Sequence, residues 1–367
     1  SRRAPVDPTA PGPAGAGPGG TLQRVRLPWR RCTDALAGTV GIDLTSEPIG
    51  TGTDGRPVHL RDIWPTQAEV DGKVSQCVTR EQFTEQYANE VRAQLRHYER
   101  LAQQMAASPV ASTALGQFIE ALEPLDDLAP ETLLDRRQQL LEAYETRYFE
   151  PLREAGAEVQ IRDVLTSDPA AIYLQASYSL PEPPITDPAT VDDAGDASDW
   201  SAVHARYHPV YRATAQGAGL RDIYLVDAAG ARVVYSVAKG PDLGTSLEAG
   251  PYSGTIVARA ADAAISDRDS VVTDLDMYRA APVGPIGAAA APVVAASGVV
   301  GAVVLTYDAD IYTQRLSALT PRPSDSSDRT GSQIYVIGSD ATTRSDPQAF
   351  VADPEEYLVT VSQSGAV

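Results

Sequence analysis

The chain has 367 residues, 43% of them hydrophobic, which suits globular folding with room for two ordinary domains. Its formal net charge is −19, which argues against a nucleic-acid partner, and the Arg-rich spot from Arg24 to Arg31 has no aromatic platform beyond Trp29. Cys32 and Cys77 are the only cysteines and match no metal or redox spacing, so neither a metal nor another cofactor is expected.

In chain order, residues 1–34 are Pro, Gly, Ala and Arg without periodicity, and disorder is expected there. No charged-then-apolar leader occurs, so no signal peptide is expected. Residues 38–64 read as short extended pieces, with a tight Asp-Gly turn at Thr53–Arg56 before the strand "PVHL". From Glu81 to Met105 the spacing predicts a charged helix with one apolar stripe of Tyr87, Val91, Leu95, Tyr98, Ala102 and Met105. A second long helix is expected from Pro130, with Leu134, Leu141, Tyr144, Tyr148 and Leu152 on its buried face and Gly156 beyond its end.

The acidic stretch Asp187–Asp199 reads as a loop, after which Ser198 or Asp199 caps a helix through Trp200, Val203, Tyr207 and Tyr211. Pro209 is expected to kink or shorten it. Next come "IYLVD" and "RVVYSVA" across "DAAG", a hairpin, then a small-residue helix near Ile256–Ile265 and the strand "SVVTD". From Ala280 to Tyr307 the chain carries no charge. Its Ala, Gly and Val content, with Pro292 inside and Ser297-Gly298 in the middle, predicts two buried strands rather than a membrane span. The order gives an α+β class: long helices, then an antiparallel sheet with helices on one face. Residues 319–331 form a Ser/Asp/Pro linker, and "QIYVIGSD" starts another strand.

"GTGTDG", Gly50 to Gly55, has the letters of a nucleotide-binding turn, but no buried strand precedes it and no helix follows, so it reads as a loop. His204 and His208 share a helical face at a spacing that can hold zinc. With no third ligand, they read as structural or pocket-lining. No nucleophile elbow, phosphate loop or kinase signature occurs, and the chain is expected not to be an enzyme. Arg206, Tyr207, Tyr211, Tyr235, Lys239, Asp274 and Tyr278 form the candidate binding cluster. Guanidinium would meet a carboxylate and aspartate an amine, so the expected ligand is an amino acid or carboxylate. The alternative is core tyrosines with rim charges.

Two resemblances divide the chain. Residues 35–89, through "GIDLTSEPIGTGTDGRPVHLRDIWPT" and "VTREQFTEQYAN", resemble aconitate hydratase. In that family the stretch is connecting architecture. The Gly-Cys-x-x-Cys element is missing here, so no iron–sulfur cluster is implied and no catalytic residue carries over. Residues 90–367 resemble the double Cache, PAS-like extracytoplasmic sensor region of bacterial receptors, especially those preceding adenylate/guanylate cyclase domains. The carrying motifs are "DVLTSDPAAIYLQASY", "DDAGDASDWSAVHARYHPVYR", "DIYLVDAAGARVVYSVAKGPDLGTSL", "GPYSGT", "DLDMY", "VVGAVVLTYD" and "GSQIYVIGSDATTRSD".

The resemblance implies stalk-like helices over 90–160, a first PAS-like sensor domain over 161–318, and a truncated second PAS-like unit over 332–367. It further implies an extracytoplasmic location, with membrane attachment through segments this chain lacks. The apolar stripe of the long helices has two readings, a homodimer seam or a face satisfied inside the monomer. Against this sensory reading stand an inactive aconitase relative, which would be cytoplasmic, and an accidental fusion joined near Asn89.

Overall fold

The computed structural model describes residues 46–63, 66, 80–145, 149–150, 153, 160, 164–180, 187–319, 336–338, 342–346, 350–351 and 353–355. The tail at 1–34, both cysteines, Tyr148, Leu152, Gly156, nearly all of the expected linker at 319–331 and most of the expected second PAS-like unit at 332–367 lie outside the described residues. The chain forms two compact units, residues 1–82 and 83–367.

In the first unit, β1 (Gly50–Thr51) pairs antiparallel with β2 (Pro57–Val58). The Gly52 amide donates to the Arg56 carbonyl at 2.8 Å, and Gly55 takes φ +79°, which only glycine adopts without strain. "GTGTDG" is therefore a hairpin turn. One helical turn follows, α1 (Leu60–Ile63).

The second unit is entered through α2 (Arg80–Ala106), close to the bounds its apolar stripe predicts. Tyr87, Tyr98 and Ala102 of that stripe are buried, and Val91, Leu95 and Met105 pack against the core. Next comes α3 (Pro109–Asp126), a helix absent from the expectations above. Ser108 caps it by accepting from the Val110 amide, and its buried stripe mixes Ala111, Ala114 and Ala121 with Leu115, Phe118, Leu122 and Leu125. The expected helix at Pro130 starts as a 3-10 turn, Pro130–Leu133, before α4 (Leu134–Tyr144). That tighter turn shifts the phase. Leu133, Leu140 and Tyr144 face inward, while Leu134, expected to be buried, is 64% exposed.

A further unexpected helix, α5 (Pro169–Tyr178), precedes α6 (Asp199–Ala218). Ser198 caps α6, and Gly219 ends it in the left-handed region. Pro209 does not shorten α6: it lies on the exposed side, and the buried His208, Tyr211 and Ala215 hold the helix to the core past it.

The main sheet runs β4 (Val233–Ser236), β3 (Asp222–Asp227), β8 (Gly298–Asp308), β7 (Ala281–Ala295), β5 (Val271–Val272), with β6 (Asp276–Tyr278) also on β7. Every pairing is antiparallel. The uncharged run is the β7–β8 hairpin turning at Ser297, not a span, and among the described residues no helix is long and apolar enough to cross a membrane. The class is α+β, as expected.

Helices on one face only is not what the sheet shows. Gly301 through Tyr307 of β8 are buried without alternation, so both faces are covered. On one face Leu115 of α3 meets Gly301, the Tyr98 ring stacks on Tyr307 at 4.4 Å, and Phe118 lies 5.0 Å from the Tyr235 ring. Helix α7 (Ile256–Asp267) packs along β7 and β8, and α8 (Asp310–Leu319) leaves directly from the end of β8. Each fully buried Leu or Phe in this core stabilises by roughly 1.5–3 kcal/mol.

Arg232 ties the elements together. Its guanidinium donates to Asp126 at the end of α3 (2.6 and 2.8 Å) and to Asp168 ahead of α5 (2.7 Å).

Candidate functional site

The side chains rich in chemistry gather where α6 crosses β4. Trp200, His204 and His208 follow one another on a single face of α6, and their rings stack in sequence, 4.9 Å from Trp200 to His204 and 4.2 Å from His204 to His208. The Trp200 indole N–H donates to the Val234 carbonyl at 3.1 Å, fixing the register of helix on strand. Nδ1 of His208 lies 2.8 Å from the Tyr235 hydroxyl, and Nε2 lies 2.7 Å from the Ala189 carbonyl oxygen. A carbonyl can only accept, so the proton is assigned to Nε2, and Tyr235 donates to Nδ1. Burial, then the charge of Lys239, pushes His208 down to about 4. The same two causes push His204 down to about 2. Nδ1 of His204 bonds the Asp192 carbonyl at 2.7 Å, and its buried Nε2 has no partner.

Lys239 is 1% exposed, and its ammonium lies 2.9 Å from the Pro188 carbonyl oxygen and 3.1 Å from Nε2 of His208. The backbone takes φ +54° here, and the amide donates to Ser236 Oγ at 2.8 Å, turning the chain inward just past β4. Burial lowers Lys239 to about 7.

A second group sits at the other end of the same polar layer. Asp222 receives the Ser236 hydroxyl (2.7 Å) and the amides of Ile223, Val237 and Ala238 (2.7, 2.8 and 3.1 Å), yet full burial still raises its pKa. Asp242 accepts from the Tyr278 hydroxyl at 2.5 Å, while its other oxygen is buried without a partner. Burial, then the charge of Asp222, raises Asp242 to about 7. Gln175 of α5 donates to the carbonyls of Pro241 and Leu243, both at 2.8 Å, and holds that loop in place.

The candidate residues therefore separate. Tyr211 and Tyr235 pack ring to ring at 5.2 Å, and Lys239 joins them through His208. Tyr207 lies at the margin, its hydroxyl on Gln117 at 3.1 Å, and Tyr278 belongs to the Asp242 group. Arg206 is exposed and bonds Gln117, and Asp274 is exposed and pairs with Arg344 at 2.8 Å, so neither reaches the polar layer. The cation there besides Lys239 is Arg212, which the sequence reading missed although it stands one helical turn after His208. Asp222, Asp242 and Gln175 were missed too; in one dimension nothing distinguishes a buried aspartate from a solvated one.

A cleft of about 620 Å³ lies elsewhere in this unit, lined by residues including Gln94, His97, Gly219, Asp310 and Arg315. Its charged side chains are exposed, which leaves the buried layer as the candidate site. Among the described residues no group of three or more His, Cys, Asp or Glu could hold a metal ion.

No family model matches the chain. A 55-residue stretch is 58% identical to aconitate hydratase A of Staphylococcus epidermidis, covering 15% of this chain and 6% of that enzyme. A 53-residue stretch is 55% identical to phosphinomethylmalate isomerase of Streptomyces viridochromogenes, covering 14% and 6%. The chain thus spans a small fraction of the curated relatives it matches. Similar solved structures include the ligand-binding domain of the Pseudomonas fluorescens chemoreceptor CtaA with L-serine (18% identity, TM-score 0.28, covering 59% of this chain and 68% of that one). Another is the V. cholerae histidine kinase DctB sensor domain (17% identity, TM-score 0.25, covering 33% and 42%). Likenesses this loose transfer no residue and no ligand.

Proposed function

We propose that the second unit senses a small molecule and performs no chemistry on it. The observation that supports this best is the buried layer of Tyr235, His208 and Lys239, ionisable groups closed inside an α+β unit. Its sheet also offers an exit for a signal. Asp222 pairs with Thr306 on β8, two residues before that strand ends and α8 begins. The ligand is an amino acid or small carboxylate, met by Lys239 and the tyrosines. In the arrangement its Cache resemblance implies, the unit stands on the extracytoplasmic side of a membrane receptor of cyclase type. The aconitase-like segment contributes no catalytic group.

Isothermal titration of the whole chain with a panel of amino acids and small mono- and dicarboxylates tests this. At least one compound is expected to give saturable heat that Lys239→Met removes and Arg206→Ala leaves intact. Heat lost equally on Arg206→Ala would move the site to the surface, and no heat with any compound would remove the reading.

A further inference from the structure

Residues 187–198 cross the polar layer as a strap that presents acceptors to it. The carbonyl oxygens of Pro188, Ala189 and Asp192 bond Lys239 (2.9 Å), His208 (2.7 Å) and His204 (2.7 Å). Arg212 donates to the Thr190 carbonyl at 3.1 Å and forks onto the Asp192 carboxylate at 2.7 and 3.4 Å. His204, His208, Arg212 and Lys239 thus all bond to the strap.

Besides these bonds, the Ala194 amide of the strap donates to the Tyr178 hydroxyl at 3.2 Å. None of its residues is buried, and its apolar contacts come from Ala189, Val191 and Ala194. Near its far end Gly195 and Ala197 take φ of +70° and +57°, the latter a conformation a side chain resists. A segment held by polar bonds rather than by burial opens at low cost once those bonds are matched by others.

We propose that the Asp192 carboxylate and its neighbouring carbonyls are a built-in competitor, occupying an anion site formed by Arg212, His208 and Lys239, from which a small carboxylate displaces them. This rests on the sensory reading and specifies the ligand's anchoring group. A carboxylate offers two oxygens with about four lone-pair positions, which can accept from Arg212, His208 and Lys239 in place of the strap oxygens. Asp192 is 46% exposed at its side chain and can leave, whereas Arg212 is 23% exposed and stays. Arg212 takes the role that the sequence assigned to Arg206.

Hydrogen exchange of the strap amides in the whole chain, in acetate against chloride at equal ionic strength, tests the exchange. Acetate is expected to speed strap exchange by about fivefold or more. Asp192→Asn should produce the same opening at lower acetate, and Arg212→Gln should abolish the response. Unchanged exchange in both wild type and Asp192→Asn overturns the proposal, as does a response that survives Arg212→Gln. A panel compound that binds without altering strap exchange overturns it too and leaves the sensory reading standing. Strap opening by acetate with no compound giving saturable heat sinks the sensory reading and keeps the exchange.

Discussion

Lys239 Nζ lies 3.1 Å from Nε2 of His208, and both are buried. Burial is the main cause that lowers both, and the charge of Lys239 lowers His208 further. His208 is held down to about 4 and Lys239 to about 7, so at neutral pH the histidine is neutral and the lysine is near half protonation.

Removing that lysine should release part of the depression. Lys239→Met keeps the apolar stem and deletes the charge that stands second only to burial in lowering His208. The His208 pKa, followed by NMR of its ring, is expected to rise toward the ordinary histidine range. No change would mean that the lysine charge does not act on the ring.

The histidines also tie stability to pH. His204 and His208 have folded pKa values of about 2 and about 4, below the ordinary 6.5, so between about 4 and 6.5 the unfolded chain binds protons that the folded chain refuses. Their contribution is complete above 6.5 and is lost as pH falls, with a limiting slope of about 1.4 kcal/mol per pH unit for each proton. Asp242 works in the opposite direction over much of the same range, so the informative quantity is a difference. Urea midpoints at about pH 7 and about pH 5 should fall less for His208→Gln than for wild type.

Asp242 provides the mirror case. Raised to about 7, it is protonated in the folded chain while the unfolded chain has already released its proton, so its effect on stability worsens as pH rises from 3.8 through 7. Asparagine does not titrate. The stability of Asp242→Asn relative to wild type is therefore expected to improve steadily across that window. A pH-independent difference would show that Asp242 is not raised.

Gly301 on β8 lies against Leu115 of α3. A Cβ there would lie 2.2 Å from the Val226 carbonyl oxygen and 2.6 Å from Leu115 Cδ2. The first of these is backbone held in the ladder and cannot step aside. Gly301→Ala is expected to cost at least about 2 kcal/mol in denaturant unfolding. A cost near zero would mean that β3 and α3 do not approach Gly301 as described.

The elements that could be read from the sequence were those with a strong period or unambiguous turn chemistry. The α2 stripe, the "DAAG" hairpin, the Ser198 cap and the β7–β8 pair all fall in this class. Helix α3 stayed hidden because three of the seven residues on its buried face are alanine, which carries little hydrophobic contrast, and because Pro124 lies within it. The phase of α4 was misread because its entry is a 3-10 turn that no side chain announces. Of the candidate site, Tyr211, Tyr235 and Lys239 were visible as aromatic and cationic residues on adjoining elements. The strap was not, since what it offers the site is mainly backbone carbonyl oxygen, and every residue has one.

The central claim is that a small molecule binds at the layer of His208, Tyr235 and Lys239. The chain has four histidines, and two of them, His204 and His208, line that layer. Ring carbon–proton NMR spectra recorded during the ligand panel titration therefore report on the site directly. A bound compound is expected to move the His208 and His204 signals and leave those of His59 and His97 in place. Saturable binding with His204 and His208 unmoved would contradict the site, and with it the account of how this chain senses.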